Sequence, residues 1–134
     1  MSEIPGSARP PLIVTRGQGR RYSLGQMGAV FIADGAETDR RYSISEWTFE
    51  AGAQGPGPHA HNGVDHVFYV IEGTLSVFIE GAWSEAPPGS YVVVTGGTRH
   101  DFANRGDAVT RFINIDVPGG FESAVQSFAE GRGP

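Results

Sequence analysis

Four histidines, all that the chain contains, fall in two short stretches: Pro58-His59-Ala60-His61-Asn62-Gly63-Val64-Asp65-His66 and Gly97-Thr98-Arg99-His100-Asp101-Phe102-Ala103-Asn104. Imidazole nitrogen is a preferred ligand for zinc, copper, iron and nickel, so this concentration marks the place where chemistry is expected. Side chains two apart on a strand share a face, so His59 and His61 are placed to grip one ion from one strand. His66 has the wrong parity if that strand runs straight on. Asn62-Gly63 is a turn or bulge signal that resets it, after which His66, Phe68 and Val70 share the inner face. His100 lies on a later strand with Phe102 and Asn104 on its own face, and antiparallel pairing brings that strand beside the first pair. An H-x-H pair with two further histidines, each just after a turn, favours a metal site over four unrelated side chains.

Other side chains are weighed against this centre. Asp65 is a secondary candidate for ligand or base, because its parity relative to His66 turns it away from the metal. Asn104 either hydrogen-bonds near the site or serves the turn at Arg105-Gly106-Asp107. Trp47, Phe68, Phe102 and Phe112 either line an apolar pocket above the ion or fill ordinary barrel core. Asn114, in an otherwise apolar strand, is a polar group for that pocket's wall or a structural hydrogen-bonding residue. The absence of cysteine excludes disulfides, thiolate zinc sites and cysteine nucleophiles. Gly17-Gln18-Gly19 lacks the third glycine and the preceding strand of a nucleotide loop. Ser43, Ser45 and Ser90 have no triad context.

These residues need a frame, and the composition describes one. The 134 residues make one domain, 39% hydrophobic and 19% charged. A net charge of -5 argues against nucleic acid as a partner, and Arg20-Arg21 and Arg40-Arg41 read as solvated loop charges. No apolar run is long enough to cross a membrane, and Met1 to Gly19 lacks the shape of a signal peptide, so a cytoplasmic location is expected. Twenty glycines and nine prolines are spread as punctuation between short apolar runs, which is how strands and tight turns are written. The expected strands are Gln26 to Ala33, Tyr42 to Glu50, His66 to Ile71, Thr74 to Glu80, Trp83 to Ala86, Ser90 to Thr95, Arg99 to Asn104 and Thr110 to Val117. An extended arm spans residues 1–19, with Leu12-Ile13-Val14 as an edge strand. The barrel core covers about 24–118. A short helix over 121–130 has Val125, Phe128 and Ala129 at helical spacing, and Gly131 to Pro134 is a frayed tail. The fold class is all-β, a barrel or sandwich with one short C-terminal helix.

The two histidine stretches resemble the cupin superfamily. Its first motif, G-x5-H-x-H-x3–4-E-x6-G, corresponds to His59-x-His61-x4-His66-x6-Gly73, with the opening glycine displaced by one position at Gly52. Its second, G-x5-P-x-G-x2-H-x3-N, corresponds to Gly89-x5-Thr95-x-Gly97-x2-His100-x3-Asn104, with threonine in place of proline. The ending Pro118-Gly119-Gly120-Phe121-Glu122 is similar to single-domain bacterial cupins of the quercetinase-like group. The resemblance implies a double-stranded β-helix (jelly-roll) barrel, a divalent transition metal ion (Mn, Fe, Ni, Co or Zn) in its mouth held by His59, His61, His66 and His100, and a homodimer. It departs at His66, where the family usually has glutamate. Four imidazoles leave the ion about one charge unit more positive than three imidazoles and a carboxylate, and the base used in quercetinase-like enzymes is missing. Four-histidine spheres do occur in cupins, among manganese-binding oxygenase-like proteins and zinc-dependent polyketide cyclases. The implied activity is a dioxygenase-type oxidation of an aromatic or enolic small molecule bound at the metal. The alternatives are redox-neutral Lewis-acid chemistry (cyclase, isomerase or lyase) and non-catalytic binding of a metal or small molecule.

Overall fold

Period-two alternation of apolar and polar residues recurs along the chain, and each such run is a strand in the computed structural model, which describes residues 10–131. The elements are β1 Arg20–Leu24, β2 Met27–Ala33, α1 Gly35–Thr38, β3 Ser43–Phe49, β4 Asp65–Glu72, β5 Leu75–Ile79, β6 Ala82–Ala86, β7 Tyr91–Val94, β8 His100–Ala103, β9 Thr110–Val117 and α2 Glu122–Ala129. Every strand pairing is antiparallel. One sheet has the order β1-β2-β3-β9-β4-β7, the other β6-β5-β8. The result is the expected jelly-roll β-fold with a short C-terminal helix.

Inner positions follow from the alternation. On β3, Ser43, Ser45, Trp47 and Phe49 are buried, and on β9, Thr110, Phe112, Asn114 and Asp116 are buried. Register then sets them side by side. Ser43, Asp116 and His66 form one row across β3, β9 and β4; Ser45, Asn114 and Phe68 form the next; Trp47, Phe112 and Val70 form the third. The interior therefore grades from an aromatic core to a polar end, and the polar end carries His66.

Turns keep the strands in register. At Gly73 the backbone has φ +70°, and a β-carbon would sit 2.3 Å from the carbonyl oxygen of Val109, so only glycine fits there. Asn104 is a structural tie. Its amide donates to the carbonyls of Phe49, Glu50 and Ala108, and its oxygen accepts from the Gly106 N–H. Of the two roles open to Asn104, the structure shows the turn.

Some expectations are corrected. Leu12-Ile13-Val14 is not a strand; the segment has no regular pairing and Ile13 is exposed. Residues 1–9 of the expected arm and 132–134 of the expected tail lie outside the described residues. Arg20 and Arg21 are not loop charges. They open β1, where Arg20 pairs with Glu37 at 2.6 Å and Glu122 at 2.7 Å. β1 escaped the sequence pattern because only Tyr22 and Leu24 of its five residues turn inward. α1 is one turn set by a capping box between Asp34 and Glu37.

Candidate functional site

The segment carrying His59 and His61 is extended and runs antiparallel to the start of β8. Backbone bonds join His59 N to His100 O at 2.9 Å and His100 N to His59 O at 2.8 Å, and Gly97 N donates to His61 O at 3.0 Å. The turn at Asn62-Gly63, with Gly63 at φ +76°, reverses the face and points His66 of β4 inward. The four rings come together as a closed circuit. Centre to centre they lie at 4.9 Å (His59–His61), 5.3 Å (His61–His66), 5.2 Å (His66–His100) and 4.5 Å (His100–His59).

Three of the imidazoles are oriented through Nδ1. His59 donates to the Gly57 carbonyl at 2.7 Å, His100 to the Thr98 carbonyl at 2.9 Å, and His66 bonds Asp116 Oδ1 at 2.5 Å. A carbonyl oxygen only accepts, so Nδ1 carries the proton in His59 and His100, and in the neutral ring Nε2 keeps its lone pair. Burial pushes His100 down to about 4; the other three histidines push the same way, and its bond to Thr98 partly opposes them. His61 is lowered by burial first and then by His66 and His59. Both rings are therefore neutral, with lone pairs free, at neutral pH.

Two buried polar atoms have no partner among the described residues: His66 Nε2 and Asn114 Oδ1. Such orphans are uncommon in native interiors and mark places where something else is to be bound. Ligands about 2.1 Å from a common ion would place neighbouring imidazole centres roughly 4.6 to 5.3 Å apart, close to the spacing seen. Among the described residues, however, no three His, Cys, Asp or Glu side chains already form an ion cage. The agreement is therefore one of ring-centre spacing alone.

Asp116 is the residue that sequence reasoning missed. It is completely buried, and its carboxylate accepts from Ser43 Oγ at 2.8 Å and Asn114 Nδ2 at 3.1 and 3.2 Å as well as bonding His66. A carboxylate thus stands directly behind the histidine that replaces the usual glutamate, hydrogen-bonded to its ring. The available signal was parity, since Asp116 is two residues beyond Asn114 on the same strand. Asp65 is exposed and accepts from the Gly96 N–H at 2.8 Å, away from the rings.

A cavity of about 80 Å3 adjoins the histidines. Trp47, Phe68, Phe102, Phe112 and Asn114 all line it, together with Leu24, Met27 and Pro56. Helix α2 and the residue before it, Phe121, close one side, with the Phe121 ring 5.2 Å from both His61 and His66. These aromatic residues belong to the barrel core and also line the cavity. Trp47 and Phe112 stack at 6.4 Å in the core while also facing the cavity.

A model of the cupin domain matches residues 45–116, more than half of the chain and including all four histidines. This chain belongs to the cupin family. The cupin is similar to the quercetin 2,3-dioxygenase of Bacillus subtilis (strain 168), at 26% identity over 130 residues, covering 91% of this chain and 35% of that protein. It thus spans only about a third of the length of that curated relative. Among solved structures the cupin is similar to KdgF from Halomonas sp. (TM-score 0.73, 19% identity, 85% of this chain and 99% of that one). It is also similar to the polyketide cyclase RemF from Streptomyces resistomycificus (TM-score 0.69, 20% identity, 81% and 80%). At these identities the structural likeness is one of fold.

Proposed function

We propose that this cupin is a metal-dependent enzyme of dioxygenase type, acting on an aromatic or enolic small molecule, with His59, His61, His66 and His100 as ligands to a divalent transition ion. The observation that carries this reading is the buried Nε2 of His66, without a partner among the described residues, within a circuit of four imidazoles of which three are tied through Nδ1. Held by these four histidines, a manganese, iron, cobalt or nickel ion would supply Lewis acidity and redox capacity.

The protein's own contributions follow from the site. Asp116 fixes the orientation of the His66 ring through its bond to Nδ1. The aromatic lining excludes water and accepts an apolar body. The cavity, about 80 Å3 and open on one side, has roughly half the volume of a cavity known to hold benzene, so a ring-bearing substrate enters by its reactive end, with its remainder toward the mouth. The distant similarity to a quercetin dioxygenase supports the same class.

The test is elemental analysis of protein purified without added metal, followed by oxygen-electrode screening of phenols and diketones. Redox-active metal with oxygen uptake supports the proposal. Tightly held zinc without oxygen consumption replaces it with redox-neutral Lewis-acid chemistry, and tight ligand binding without turnover replaces it with a sensor.

A homodimer is part of the proposal. Tyr69 and Ile71 of β4 and Tyr91 and Val93 of β7 are exposed on the outer face, at the sheet edge that β7 forms. An apolar edge of this kind is suited to a second copy. Sedimentation of the wild type and Tyr91→Glu tests it, with a monomeric wild type as the refuting result.

A further inference from the structure

We propose that Asn114 is a fixed hydrogen-bond acceptor that makes the cavity select ligands carrying an O–H or N–H donor. The assignment rests on the reading of the cavity as a ligand site, and it adds a specificity-determining residue that is independent of the metal.

The orientation of the Asn114 amide is decided by its neighbour. Nδ2 donates to both oxygens of Asp116, at 3.2 and 3.1 Å, and Asp116 is fully buried. Turning the amide over would set a carbonyl oxygen against that carboxylate and leave an NH2 group with no acceptor, so Oδ1 is held on the opposite side. There it is buried, in a residue only 4% exposed that lines the cavity, with no partner among the described residues. The indole N–H of Trp47, a donor on the same lining, is already given to Ser45 Oγ at 3.0 Å. Nothing in the wall serves Asn114 Oδ1.

Apart from the imidazoles, Asn114 itself and the already bonded indole of Trp47, the lining side chains are apolar. A ligand without a donor therefore leaves the acceptor unpaired in an apolar setting, and one with a hydroxyl or amine satisfies it. Sites built to pair a ligand's polar group reject the analogue that lacks it much more strongly than they reject a change of size. The class expected is an apolar group bearing at least one O–H or N–H, such as a phenol, an enol or an aniline.

The experiment uses the full chain, once stripped with chelator and once loaded with zinc, and measures Kd for phenol and for toluene by NMR titration. The expected result is a preference for phenol of about 10- to 100-fold in the stripped protein, falling below about threefold in Asn114→Leu. Equal binding of the two probes by the wild type, which needs no variant, overturns the assignment. A preference that survives in Asn114→Leu also overturns it, because an imidazole of the lining is then the acceptor. Binding of neither probe removes the ligand site and the assignment with it. If no metal binds but the preference is present and lost in the variant, the assignment stands while the metal reading fails.

Discussion

Replacing Asp116 by asparagine tests whether the carboxylate behind His66 serves the site or only the fold. Asp116 accepts from Ser43 Oγ at 2.8 Å and from Asn114 Nδ2 at 3.1 and 3.2 Å, and bonds His66 Nδ1 at 2.5 Å. An amide of the same shape has one accepting atom, so its NH2 must oppose at least one of those donors. Bonds to a charged acceptor contribute about 1.5–3 kcal/mol and neutral ones about 0.5–1.5 kcal/mol. Relief of the buried charge's desolvation offsets part of the difference. The net expectation is a loss of about 1–3 kcal/mol in denaturant unfolding of the metal-free protein. Metal affinity reports separately. A carboxylate that orients a ligating histidine is worth about 10- to 100-fold in binding, or roughly 1.4–2.7 kcal/mol, so chelator competition with zinc and manganese should show a Kd weaker by that factor. Ser43→Ala is the control. It removes one bond to Asp116 without touching His66, and should cost about 1 kcal/mol of stability with less than about a threefold change in metal Kd. If Asp116→Asn loses stability but binds metal as tightly as the wild type, Asp116 is purely structural and the reasoning that ties it to a ligating His66 is wrong.

Single alanine replacements of His59, His61, His66 and His100 should each lower metal affinity by about tenfold or more, the least that loss of even a supporting group costs. Unchanged metal content in His66→Ala would reduce the set to three histidines. Gly73→Ala should destabilise by about 1–3 kcal/mol in a denaturant melt, because φ is +70° and the added carbon meets Val109 O at 2.3 Å. Tyr22 is pushed up to about 12, first by its hydrogen bond to Glu122 and then by burial. Its folded value lies above the ordinary tyrosine value of 10.0, so the folded state holds the proton longer than the unfolded chain. The stability it contributes is complete below about 10 and is lost as pH rises toward about 12. Tyr22→Phe should flatten that part of the stability–pH curve, and an unchanged slope would sink the assignment.

Much of this molecule is legible in its residues because alternation is a local property. A period of two states which side chains share a face, and so put His66, Phe68 and Val70 together inward once the turn at Asn62-Gly63 is allowed for. The H-x-H pair and the late histidine were visible for the same reason. Register is not local. That Ser43, Asp116 and His66 stand in one row across β3, β9 and β4 depends on pairings between segments up to 73 residues apart, and no short window contains that information. The placement of α2 and Phe121 over the cavity depends in turn on Arg20, Asp34 and Glu122, which come from opposite ends of the chain. Composition and spacing alone determined a β-rich chain with four imidazoles to bring together. Tertiary pairing decided that a buried carboxylate stands behind one of them and that Asn114, a residue of the cavity wall, has an amide oxygen with no partner among the described residues, because only the packed sheet removes those groups from water and assigns their partners.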